Sequence, residues 1–114
     1  MDKVLVVSYG GAGAAMADTL YRSGGGFPRF SIYVADRQRN PLNARLTQET
    51  SGKHAVIPDL SVDEIYRFAS EIDDLKFVLV GHEGPIINGI ADMIEDGLGV
   101  PVLAPRKKYA LEAS

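Results

Sequence analysis

The sequence predicts an α/β fold: a doubly wound, five-stranded parallel sheet in a single domain, residues 1–114. Three observations carry this. Short apolar runs alternate with stretches of helical period along the whole chain, the pattern of successive strand–helix units. The first run, Lys3-Val-Leu-Val-Val7, is apolar without alternation, as in strands covered on both faces. A glycine turn, Ser8-Tyr-Gly-Gly-Ala-Gly13, then leads directly from that strand into a run of small helix-forming residues.

Each element has its own local signal. After the glycine turn, Ala14, Ala15, Met16, Ala17 and Leu20 form a helix that ends at Gly24-Gly25-Gly26. Phe30 to Ala35 is the second strand, and Asp36 to Arg39 a polar loop. Asn40 before Pro41 reads as a helix cap followed by proline at the first helical position. Leu42, Ala44, Arg45 and Leu46 continue that helix, which Gly52 closes. His54 to Ile57 is the third strand, stopped by Pro58. Ser61 and Glu64 make a capping box, and Ile65, Phe68, Ala69 and Ile72 follow at i, i+3, i+4 and i+7. Phe77 to Val80 is the fourth strand and Gly81 to Gly84 a loop. Pro85 opens a helix bearing Ile86, Ile87, Ile90, Met93 and Ile94, closed by Gly97 or Gly99. Val100 to Ala104 is the last strand, with its proline near the start, and Arg106 to Ser114 are good helix formers.

Composition narrows the function classes. The chain is 46% hydrophobic and 24% charged, an ordinary globular mix with no run near the length of a membrane helix. A net charge of −3 offers no general attraction to nucleic acid or to an anionic membrane. There are no cysteines, so disulfides, thiolate metal sites and a cysteine nucleophile are excluded. The start, Met1-Asp2-Lys3, has no signal-peptide character, and a cytoplasmic protein is expected.

In a sheet of this kind ligands bind beyond the carboxyl ends of the strands. Three loops qualify by position. The glycine turn presents backbone N–H groups at a helix N-terminus, which suits an anion or phosphate, although the same glycines also suit a bare tight turn. The dinucleotide fingerprint is imperfect, since Met16 stands where glycine or alanine is expected, and no Gly-Lys-Ser/Thr follows to make a P-loop. Asp36 ends the second strand at about the distance from the glycines at which dinucleotide binders hold a ribose hydroxyl. Its neighbours Arg37 and Arg39 point instead to a phosphate or to a solvated turn. Glu83, just ahead of Pro85, can accept hydrogen bonds from sugar hydroxyls or simply favour the helix dipole. His82 has no evident partner, His54 at a strand start is assigned no role, and no nucleophile–base pair, metal triad or paired carboxylates stand out. From the residues alone, this is a ligand-binding α/β module with no defined reaction.

Three segments resemble the amino-terminal part of glycinamide ribonucleotide synthetase, the phosphoribosylamine–glycine ligase family. They are Lys3-Val-Leu-Val-Val-Ser-Tyr-Gly-Gly11, Arg39-Asn-Pro-Leu-Asn-Ala-Arg-Leu46, and the carboxyl-terminal third. That third runs from Phe77-Val-Leu-Val-Gly-His-Glu-Gly-Pro-Ile86 through Val100-Pro-Val-Leu-Ala-Pro105 to Tyr109-Ala-Leu-Glu-Ala-Ser114. Residues 47–76 agree in general pattern only. The sequence departs from the family where Gly-Gly is usually followed by Arg-Glu-His, since here Ala12-Gly-Ala14 follows, and His82 replaces the proline of Gly-Pro-Glu.

The resemblance implies a Rossmann-like domain of the pre-ATP-grasp type, with strand order 3-2-1-4-5. It implies an enzyme of purine biosynthesis that joins glycine to phosphoribosylamine using ATP and Mg²⁺, by way of a glycyl phosphate. The matching substrate-binding positions are Gly10 and Gly11 for the 5′-phosphate, Asn40 in the second loop, and Glu83 with Pro85 in the fourth. No catalytic or metal-binding residue falls in this stretch. ATP and Mg²⁺ would belong to ATP-grasp domains following in cis, so no cofactor is expected on this piece and no ligase activity from it alone. The sequence stops inside its last helix, which reads as the amino-terminal fragment of a longer ligase. The competing readings are a stand-alone nucleotide- or phosphosugar-binding module without catalysis, and a redox domain using Asp36 on NAD.

Overall fold

The computed structural model describes residues 2–8, 17, 18, 22, 30–81 and 85–103, with the backbone alone described at 85–88. Its centre is a five-stranded, all-parallel sheet in the order β3-β2-β1-β4-β5. The strands are β1 (Asp2–Ser8), β2 (Phe30–Asp36), β3 (His54–Val56), β4 (Leu75–Val80) and β5 (Val102–Leu103). Three helices have described bounds: α1 (Pro41–Glu49), α2 (Val62–Ser70) and α3 (Pro85–Leu98). Ala17, Asp18 and Arg22 also have helical backbone, within the first helix expected from the sequence. The remainder of that helix, the glycine turn and residues 104–114 lie outside the described residues. The expected fold, parallel order and strand sequence 3-2-1-4-5 are those observed.

The chain's direction of travel explains the layers. From β1 it steps outward through β2 to β3, then returns past β1 to β4 and on to β5. Right-handed crossovers therefore place the first two connections on one face of the sheet and the last two on the other. The packing agrees. Val6, Ile32 and Val34 meet Ala17 and Leu46 on one face. Leu5, Val7, Ala35, Val78 and Val80 meet α2 and α3 residues, including Ile65, Phe68, Ala69, Ile90 and Ile94, on the other. Val4 to Val7 have no exposed surface, as a central strand covered on both sides requires.

The boundaries shift slightly from the sequence reading. β4 begins two residues earlier, at Leu75, where the backbone pairs with Lys3 of β1. β5 is shorter than expected, because pairing with β4 covers only Val102 and Leu103; the Pro101 carbonyl accepts the Val78 N–H at 3.0 Å. α2 ends at Ser70, so Ile72 enters the core from the turn beyond the helix. Gly99, at φ +68°, is the residue that closes α3. Gly97 lies within the helix, where a Cβ would come within 2.6 Å of the Tyr66 hydroxyl on α2. Gly52 has a different role from the one expected. Ser51 takes the left-handed conformation after α1, at φ 62°. Gly52 is required by close approach, since a Cβ there would strike the backbone carbonyl of Ile32.

Candidate functional site

The strand order reverses at β1, so the crevice expected of this architecture opens where β1 and β4 lie side by side. Val7 pairs with Val80, and the Gly81 N–H donates to the Val7 carbonyl at 2.9 Å. The loops that bear Gly10, Gly11 and Glu83 leave from these two adjacent strand ends. Gly10, Gly11 and Glu83 themselves lie outside the described residues, as does the side chain of Pro85, whose backbone begins α3.

The neighbouring end of β2 is described throughout. Ser8 is paired in register with Asp36, and Asp36 with Val56. Both Ser8 and Asp36 are buried, so polar side chains end the central strands at this edge. The Asp36 carboxylate is engaged locally, accepting the Gln38 N–H through Oδ1 at 3.3 Å. This is an Asx turn, which shapes the loop leading into α1.

Asn40 is the cap expected from Asn-Pro. Its backbone is extended, at φ −99° and ψ 117°, and its Oδ1 accepts the Asn43 N–H at 3.1 Å. That oxygen therefore starts α1. The Asn40 N–H reaches across to His54, whose Nε2 accepts it at 3.4 Å. His54, unassigned from sequence, thus ties the loop after β2 to the start of β3. Burial holds the imidazole below its ordinary pKa of 6.5, against the opposing pull of the Asp36 carboxylate, and the Arg39 charge adds to the lowering. With Nε2 accepting, the neutral ring carries its proton on Nδ1, a buried atom with no hydrogen-bond partner.

Asn43, three residues after Asn40, was not singled out from the sequence. It lies in the first turn of α1, on the helix's buried face with Leu46 and Thr47. The side chain is 0% exposed, and neither Nδ2 nor Oδ1 has a hydrogen-bond partner. An unpaired buried amide costs about 1–3 kcal/mol, so the position is expensive for stability alone. The available signal was the run Asn-Pro-Leu-Asn itself: capping geometry puts its second asparagine at the third helical position, where helical period turns it toward the sheet.

The far end of α1 is anchored by Thr50, also fully buried. Its hydroxyl donates to the Leu46 carbonyl at 2.8 Å and accepts the Ile32 N–H at 2.9 Å. Ser31 Oγ returns a hydrogen bond to the Thr50 carbonyl at 2.8 Å. The helix that follows β2 is thereby fixed on that strand at its other end. Among the described residues no group of three His, Asp or Glu side chains gathers as a metal site would need. No helix among them is long and apolar enough to cross a membrane.

With this geometry in place, likeness to known proteins becomes informative. A family model described as phosphoribosylglycinamide synthetase, N domain, matches residues 2–112. The chain belongs to that family. Among curated relatives, the phosphoribosylamine–glycine ligase of Archaeoglobus fulgidus is 36% identical over 117 aligned positions, covering 98% of this chain and 23% of the relative. The same-named protein of Methanococcoides burtonii is 29% identical, covering 94% of this chain and 23% of the relative. That of Methanopyrus kandleri is 30% identical, again over 94% of this chain and 22% of the relative. The chain thus spans about a quarter of the length of the ligases it matches. No solved structure gives a significant match. The strands that lead into the glycine turn, the Asn-Pro run and the Gly-His-Glu-Gly-Pro run, β1, β2 and β4, all end at the same edge of the parallel sheet.

Proposed function

We propose that this chain is the amino-terminal, substrate-side part of a phosphoribosylamine–glycine ligase, and that its crevice holds the phosphoribosyl group. The observation that supports this is the family match over residues 2–112, together with relatives of that name of which the chain covers under a quarter. On this reading the complete enzyme joins glycine to phosphoribosylamine with ATP and Mg²⁺. Those two bind to ATP-grasp domains in cis, which supply activation of the glycine carboxylate. The part described here has a narrower task. It binds the sugar phosphate and presents the amine.

The chemistry of the edge fits that task. Backbone N–H groups of the kind the sequence offers at Gly10 and Gly11 suit the 5′-phosphate. A carboxylate at Glu83 suits ribose hydroxyls or the amine, as an acceptor. Asn40 holds the start of α1 through its cap, and its side-chain N–H groups can still donate. Pro85 sets the start of α3. A cytoplasmic setting follows from the same reading.

Titration of the chain with ribose 5-phosphate, a stable stand-in for the labile amine, tests it by amide chemical shifts. Shifts at Gly10, Gly11 and Glu83 with ribose 5-phosphate are expected, with none from NAD. Shifts with NAD alone would replace this reading by the redox one. In an assay with ATP, glycine and phosphoribosylamine, the 114-residue chain alone is expected to yield no product. Turnover by the isolated chain would overturn the assignment of catalysis to further domains.

A further inference from the structure

We propose that the open edge of β3 is an interface at which a second copy of this chain pairs antiparallel with it, so that one sheet runs continuously through both copies. β3 ends the sheet, with β2 as its one strand neighbour among the described residues. The hydrogen bonds to β2 fix which backbone groups look outward. The Lys53 carbonyl accepts the Val34 N–H, and the Ile57 N–H donates to the Asp36 carbonyl. Bonding direction alternates along a strand, so Lys53, Ala55 and Ile57 bond toward β2. The N–H and C=O groups of His54 and Val56 therefore face away from the sheet. Such an edge is a template for another strand. Native edges are commonly blunted by lysine, glutamate or proline, and His54–Val56 contains none of these. Val56 is also 51% exposed.

The charges beside the edge fit a second copy. A groove runs between β3 and the outer flank of α2, floored by Ala55, Ile57 and Phe68 and bordered by Lys53, Glu64, Arg67 and Glu71. The border thus carries two cations and two anions, and none of the four is ion-paired among the described residues. Directly opposed residues of an antiparallel pair can exchange both of their N–H···O bonds. A twofold axis at Ala55 sets His54 opposite Val56 of the second copy, and Val56 opposite its His54. All the outward groups are then paired, and the exposed Val56 side chain gains a cross-strand neighbour. The same register sets Lys53 opposite Ile57 of the second copy. α2 returns antiparallel to β3, so Glu64, in its first turn, stands at the Ile57 end of the groove. Lys53 of each copy is thereby brought to Glu64 of the other, and the symmetry makes that contact twice. Exposed ion pairs of this kind add little affinity and select the register.

Sedimentation equilibrium of the 114-residue chain tests the proposal. The paired edge is short, so a dissociation constant of roughly 10 μM to 1 mM is expected. Val56→Pro removes an outward N–H and no bond to β2, and Val56→Lys puts a charge on the edge. Each should raise the dissociation constant at least roughly tenfold with an unchanged far-UV spectrum. Lys53→Glu faces Glu64 with a like charge, and Glu64→Lys does the same to Lys53, so each variant alone should associate more weakly. Mixed together, the two variants restore both contacts and should form a heterodimer of near-normal affinity. An unaltered chain that stays monomeric up to about 1 mM would overturn the proposal and leave the edge to a different occupant. Dimers that persist in the Val56 variants overturn it by placing the interface elsewhere. A mixture of the charge variants that associates no better than either alone overturns it as well. If Val56→Pro does not fold, Val56→Lys and the charge pair decide. None of these outcomes depends on what the crevice binds.

Discussion

Two helices of equal length, α1 and α2, lie on opposite faces of the sheet and bury different chemistry. Both are nine residues long, and both begin with a side-chain cap, Asn40 in one and Ser61 in the other. α2 buries Ile65, Phe68 and Ala69 and carries acidic residues, Asp63 and Glu64, in its first turn. Those carboxylates suit the positive end of the helix dipole, so α2 is arranged for stability throughout. α1 buries Asn43, Leu46 and Thr47, has no acidic residue in its first turn, and leans on Thr50 for its hold on β2. The difference separates an apolar buried face from a partly polar one. An apolar stripe stabilises through area removed from water and needs no directional match. A polar stripe must be paired group by group, and each buried group left unpaired costs stability.

The comparison can be broken at either helix. The largest effect is expected on the α2 face: Ile65→Ala should cost about 2–5 kcal/mol in urea unfolding, because a fully buried side chain leaves a cavity in a close-packed layer. Ribose 5-phosphate binding by the folded fraction should be unchanged. A cost below about 1 kcal/mol would mean that this face is not the stabilising one. On the α1 face, Thr50→Val keeps the shape but strips the acceptor from the Ile32 N–H, and about 2 kcal/mol should be lost. Near-neutral behaviour would show that the anchor between α1 and β2 is not the hydroxyl.

The smallest effect concerns pH. The His54 imidazole has its pKa lowered from 6.5 in the folded protein, chiefly by burial. The unfolded chain therefore takes up the proton first, and the folded state loses ground as pH falls from about 6.5 through the lowered value. Stability from this group is complete above that range. Unfolding free energies measured between about pH 7 and 5 should fall more steeply in the unaltered protein than in His54→Gln. Equal slopes would mean that the link from His54 to Asn40 contributes nothing that depends on charge.

Much of the fold was legible because its signals are local. Asn40-Pro41 and Ser61 with Glu64 mark helix starts through hydrogen bonds that span three residues: the Asn40 and Ser61 side-chain oxygens accept the Asn43 and Glu64 N–H groups. The continuous run through Val4 to Val7 marks a strand buried on both sides because a central strand has no polar face to show. Glycine was read less well. Gly52 looked like a helix terminator, and its real constraint is the Ile32 carbonyl against it, set by a strand twenty residues away in the chain. Gly97 and Gly99 looked interchangeable until Tyr66 packed beside the first and the left-handed turn fell on the second.

The candidate site divides in the same way. The resemblance singles out Gly10, Gly11, Asn40, Glu83 and Pro85 as substrate-binding positions, and the family it points to is the one the chain belongs to. Asn43 and His54 were passed over: the spacing in Asn-Pro-Leu-Asn turns Asn43 inward but does not say what it meets, and His54 finds its partner fourteen residues back, at Asn40. By itself, the sequence determined the α/β class, the helix starts, the strands and the family. These follow from side-chain period, cap chemistry and short motifs, all of which act over a few residues. The tertiary structure alone decided which face each helix covers, which glycine must lack a side chain, and which of two nearby asparagines is buried with its side-chain amide unpaired. Those outcomes depend on what distant segments bring to the same place, because burial and hydrogen-bond satisfaction are properties of neighbours in space.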